Sequence, residues 1–127
     1  MKSLSILLAS FAISLAIRIS EYYPEGNNVS IGVGEILKLS CLPNVQWDEC
    51  EFRFTNGSNG KICQKYWNRD DVVKKCNGGI GKMYQKEGLC SFEIEDVKFE
   101  DAGSWTCKMT DNNENSVTHA FDVKVEN

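Results

Sequence analysis

Residues 101–107 read Asp101-Ala102-Gly103-Ser104-Trp105-Thr106-Cys107, and just upstream lies Ser91-Phe92-Glu93-Ile94-Glu95-Asp96-Val97. A strand sends successive side chains to opposite faces. Phe92 and Ile94 therefore share one face, and Trp105, Cys107 and Met109 share another, so each set can line a single core. Between them the chain must cross from one layer to the other, with Val97 placed to plug the corner. Gly103 allows a positive φ or a close backbone approach at the turn into the second strand. Asp101 is short and polar, suited to accepting hydrogen bonds from local backbone N–H groups.

The spacing D-x-G-x-W-x-C behind F-x-I-x-x-V resembles the corner of an immunoglobulin-like domain, whose usual form is L-x-I-x-x-V-x-x-x-D-x-G-x-Y-x-C. The resemblance extends over nearly all of the chain after its leader. It implies an all-β fold, an immunoglobulin-like antiparallel β-sandwich with Greek-key topology, stapled by about three disulfides. The family's Tyr, whose hydroxyl ties down the corner, is replaced by Trp105. An indole N–H only donates, so a related but altered bond is expected there, with Trp105 in the core. In many relatives the aspartate pairs with an arginine, and Arg69 is the candidate partner of Asp101, in competition with Lys74 and Lys75. The last strand lacks the Gly-x-Gly bulge of antibody variable domains, which favours an intermediate or divergent variable-like set.

The chain has 127 residues, which suggests one domain. Residues 1–16 form a short basic start, an apolar run from Leu4, and the small residues Ser14-Leu15-Ala16, together the pattern of a secretory signal peptide. A membrane anchor needs about 20 apolar residues, and Arg18 ends the run too early. Residues 17–28 read as a loose polar leader and 29–127 as a single immunoglobulin-like domain, secreted and extracellular. Removing residues 1–16 takes away only Lys2 among the charged side chains, leaving 13 basic and 18 acidic, net −5. Such a balance disfavours nucleic acid and anionic membrane surfaces.

Six cysteines follow the leader, the arithmetic of a disulfide framework in a secreted chain. Spacing alone leaves the pairing open. The resemblance implies a bridge between the sheets, Cys41–Cys107, worth roughly 4 kcal/mol by loop entropy. Leu37, Leu39 and Cys41 alternate with Lys38 and Ser40, as a half-buried strand should, and Cys50-Glu51-Phe52-Arg53-Phe54 alternates likewise. In the implied topology Cys50 and Cys90 point into the core near one end, giving Cys50–Cys90, and Cys63–Cys76 remains. Cys50-Glu51-Phe52 together with Gly88-Leu89-Cys90 is similar to a pattern in immunoglobulin domains of some arthropod adhesion receptors. The family's core Trp lies about a dozen residues past the first cysteine; Trp47 comes earlier, and partial burial is expected of it.

Catalytic readings fare poorly. His119 is the only histidine, with no nucleophile-elbow motif to partner it, and it is expected at a strand edge. Consecutive cysteines lie 9 to 17 residues apart, unlike clustered zinc ligands. Gly78, Gly79 and Gly81 lack the Lys-Ser/Thr and following helix of a phosphate loop. No enzyme activity, cofactor or metal is expected. Asn28-Val29-Ser30 and Asn56-Gly57-Ser58 are N-glycosylation sequons.

Function then rests on binding. The resemblance points to the sheet face whose outward residues by parity are Glu51, Arg53, Lys108, Thr110, Ala120 and Asp122. This face is mixed in charge and offers no large apolar dimer interface, so a monomer or weak homodimer is expected. Tyr66, Trp67 and Arg69 are contact candidates of the hot-spot type, although Trp67 could instead fold back onto the sandwich edge. The partner expected is an extracellular protein or receptor ectodomain, in recognition, adhesion or immune-type defence. The alternative is a small secreted effector that blocks a receptor.

Overall fold

The computed structural model describes residues 16–55, 62–67, 76 and 81–127. Nine strands form among them: β1 (Ile19–Tyr23), β2 (Asn28–Gly32), β3 (Leu37–Pro43), β4 (Glu49–Phe54), β5 (Ile62–Tyr66), β6 (Lys82–Lys86), β7 (Leu89–Ile94), β8 (Gly103–Thr110) and β9 (Ser116–Glu126). They make two sheets, of order β1-β3-β7-β6 and β2-β9-β8-β4-β5. All pairs are antiparallel except β2 with β9, which run parallel, so the second sheet is mixed rather than wholly antiparallel. The chain changes sheets between β1 and β2, at the cis Tyr23–Pro24 peptide.

The alternation seen in the sequence sets the core. Leu37, Leu39 and Cys41 of β3, Phe92 and Ile94 of β7, Phe52 and Phe54 of β4, Trp105, Cys107 and Met109 of β8, and Phe121, Val123 and Val125 of β9 are all buried. Phe92 connects the sheets: its ring stacks on Phe52 at 5.2 Å and lies 5.0 Å from the Trp105 ring. Each such side chain removes enough apolar surface from water to contribute about 1.5–3 kcal/mol, before the entropy of ordering it is counted.

Three disulfides staple this sandwich. Cys41–Cys107 joins β3 to β8 across the core with Cα atoms 6.8 Å apart, and Cys50–Cys90 joins β4 to β7 at 6.5 Å. Cys63–Cys76 closes a 13-residue separation beside β5.

The corner between β7 and β8 is built from Val97, Lys98, Asp101, Gly103 and Trp105. Val97 is fully buried. A 3₁₀ turn spans Phe99–Asp101, and the Asp101 Oδ2 accepts a hydrogen bond from the Lys98 N–H at 2.8 Å. Gly103 takes a positive φ of 144°, and Trp105 donates its indole N–H to the Asp101 carbonyl at 2.9 Å. Arg69, Lys74 and Lys75 lie outside the described residues.

Two expectations change. The stretch 17–28 is not a loose leader: Ile19–Tyr23 pairs with β3 as the edge strand β1, so the sandwich begins before residue 29. Its burial pattern lacks clean alternation because the register slips between Ile19 and Glu21. Trp47 is fully rather than partly buried, held by a hydrogen bond from its Nε1 to the Gly88 carbonyl at 2.9 Å. His119 lies, as expected, at a strand edge, on the stretch of β9 that pairs with β8 but is not reached by β2, and its ring turns to the core-facing side and stacks on Tyr22.

Candidate functional site

The outer face of the five-stranded sheet carries the predicted contact residues. On β4, Glu51 and Arg53 point outward between the inward Cys50, Phe52 and Phe54. The register sets Glu51 opposite Gln64 of β5 on one side and Lys108 of β8 on the other. Arg53 sits opposite Thr106, and Glu49 lies between Tyr66 and Thr110.

These pairings produce a bonded polar ledge. The Arg53 Nε lies 3.3 Å from one Glu51 carboxylate oxygen, and its Nη2 donates to the other at 3.5 Å. Gln64 donates from Nε2 to Glu51 at 3.2 Å and to Glu49 at 3.3 Å. Under this cover Glu51 is only 9% exposed, although its parity is outward. Arg53 stays half exposed, so the ion pair contributes little to folding, about 0–1 kcal/mol. Its effect is to hold a guanidinium in one orientation on the surface. Lys108, Ala120 and Asp122 are exposed on the neighbouring strands, and Thr110 is half-buried.

Tyr66, at the end of β5, is 53% exposed. Trp67 behaves differently. Its N–H donates to the Asp48 carbonyl at 2.8 Å, and its half-buried ring meets the Trp47 ring edge-on at 5.1 Å. Of the two open expectations for Trp67, the structure takes the one in which it folds back onto the sandwich.

Next to this strand end lies a cavity of about 390 Å³, lined by Val45, Gln46, Trp47, Asp48, Asp111, Asn112 and Asn113. Asp111 shapes one wall: its buried carboxylate accepts from the Asn113 and Asn115 N–H groups, both at 2.9 Å. Asparagines two and four residues after an aspartate are a legible turn signal. The cavity itself needs the meeting of two loops far apart in sequence.

Asn28 is the first residue of β2, exposed on the outer face at the far edge of the same sheet. Asn56 and Arg69 lie outside the described residues. Among the described residues there is no grouping of His, Cys, Asp and Glu able to hold a metal ion, and no helix long and apolar enough to cross a membrane.

No match is found among curated proteins. The immunoglobulin V-set domain family model matches residues 24–126. Of the sets left open by the sequence, the variable-like one therefore holds, and the chain belongs to the immunoglobulin V-set domain family.

Proposed function

We propose that this protein is secreted and acts as a single V-set domain that binds an extracellular protein or receptor ectodomain through the β5–β4–β8 half of its five-stranded sheet. V-set domains are in general protein-binding recognition modules; the secretion, the face and the residues are our reading. The observation that carries it is the exposed Tyr66 beside a ledge on which Glu51 and Gln64 hold Arg53 in place. An aromatic and a fixed guanidinium are hot-spot residue types held at low entropic cost. Lys108 adds a second cation on β8. Arg69 remains a further contact candidate, and Trp67 supports the strand end from behind. Asn28 lies on β2, with β9 and β8 between it and β4, so a glycan there would leave the ledge uncovered; Asn56 remains a second candidate acceptor.

The face is polar and small in apolar area, which supports a monomer or weak homodimer that adheres through arrays. The test uses the full chain expressed through a secretory route, as a monomer and as a fused multimer, on cells and secretions of the source organism. Binding by the multimer alone is the expected result. Nanomolar binding by the monomer would replace the adhesion reading with that of a soluble blocker. Binding by neither would overturn the recognition role.

A further inference from the structure

β1 is an edge strand that pairs only with β3; Ile19 and Tyr22 pack against the core, and the ring contacts to β9 are made by Tyr22. Tyr22 is half-buried and reaches across to His119 of β9, the ring centroids 3.8 Å apart and the planes 23° from parallel. Phe121 closes the cluster, edge-on to His119 at 4.7 Å and to Tyr22 at 6.3 Å. The His119 Nε2 is buried with no hydrogen-bond partner.

A neutral imidazole tolerates that setting. It can carry its proton on Nδ1 and leave Nε2 as a bare lone pair. An imidazolium cannot, because both nitrogens then donate, and the Nε2–H would be a charged donor facing rings without an acceptor. The surroundings offer no compensation. From β1 the ring meets Tyr22. From β8 its cross-strand neighbour is Cys107, held in a disulfide. On β9 its inward neighbours are Val117 and Phe121. The charged residues of these strands nearest in sequence, Glu21, Lys108 and Asp122, are exposed and of opposite parity.

We propose that the Tyr22–His119 stack is a pH-sensitive clasp, which holds β1 to the sandwich while the imidazole is neutral and releases it when the ring takes up a proton. Burial pushes the His119 pKa below the usual 6.5. The unfolded or β1-released chain therefore binds more protons than the closed one as pH falls through and below that value. Stability of the clasp is complete above it and is lost on acidification. This inference is independent of which face binds a partner.

The chain has a single histidine, so its imidazole C–H resonances are assignable without ambiguity. The experiment follows these resonances and the hydrogen exchange of residues 19–23 in the full chain as secreted, between about pH 7.5 and pH 5, correcting for the intrinsic exchange rate. The expected result is an inflection below 6.5, accompanied by about a tenfold or greater loss of β1 protection, with β4 and β8 unchanged within about twofold. His119→Phe keeps a ring on Tyr22 and should abolish the loss. An inflection at or above 6.5 would mean that the Tyr22 ring stabilises the cation instead, and would overturn the proposal. So would β1 protection that stays flat through the inflection, or an equal loss in His119→Phe. The resonance titration of the wild-type chain decides the matter even if that variant fails to fold.

Discussion

The Trp105 indole Nε1–H donates to the carbonyl oxygen of Asp101, four residues upstream, at 2.9 Å. The bond closes the same corner that a tyrosine hydroxyl closes in many immunoglobulin domains. Here the donor is a larger ring that also packs on Phe54 and Phe92 at 4.7 and 5.0 Å. Trp105→Phe should remove the bond and open a small void. The expected cost is about 2–3 kcal/mol, about 1 kcal/mol of it from the bond and the rest from lost packing. Chemical denaturation of the two proteins measures it.

Trp47 links the β3–β4 loop to the turn before β7 through its bond to the Gly88 carbonyl, and its ring supports Trp67. Trp47→Ala should cost about 3–5 kcal/mol and also free the end of β5. Limited proteolysis near Trp67 should become faster in the variant than global destabilisation alone accounts for. Trp67→Ala, at a half-buried ring, should cost about 1–2 kcal/mol.

The legible part of this fold was its alternation and its corner. Cys-x-Phe-x-Phe in β4 and Trp-x-Cys-x-Met in β8 give an unambiguous inward face, because a one-residue slip would bury Arg53 and Lys108. The strand β1 was not legible: Ile19-Ser20-Glu21-Tyr22-Tyr23 does not alternate cleanly, and its bulge moves the inward position by one residue. The full burial of Trp47 was not legible, because a loop position carries no parity and the groups that meet it, Gly88 and Trp67, come from other parts of the chain. Glu51 was read as an exposed charge. The sequence could not indicate that Arg53 and Gln64 would cover it, since that depends on register across two strands.

Ser40 and Ser91 face each other on the outer side of the four-stranded sheet, their hydroxyl oxygens 2.8 Å apart and both buried. Tyr23 and Tyr84 flank them in the same row across the sheet. The two changes together should cost little more than either one alone. Ser40→Ala leaves a buried hydroxyl without its partner and should cost about 1–2 kcal/mol, as should Ser91→Ala, whereas the double variant should lie close to either single one. A double-mutant cycle by thermal or chemical unfolding reads the coupling directly. Additive costs would show that water already serves each hydroxyl.

Tyr66 offers the cleanest separation of binding from folding on the outer sheet face. At 53% exposure its ring contributes little to the core, so Tyr66→Ala should change stability by no more than about 0.5 kcal/mol. If the proposed face is used, the same change should weaken partner binding at least tenfold, the effect of losing a hot-spot aromatic. Arg53→Lys should separate geometry from charge. The cation survives, but the forked contact with Glu51 is lost, and a lysine ammonium cannot reproduce a planar guanidinium. Binding should fall severalfold with unfolding unaltered. Asp122→Ala, on β9 opposite Asn28 of β2, serves as the control and should leave affinity unchanged. Equal effects at Tyr66 and Asp122, measured by the same surface-binding assay, would move the contact face away from β5.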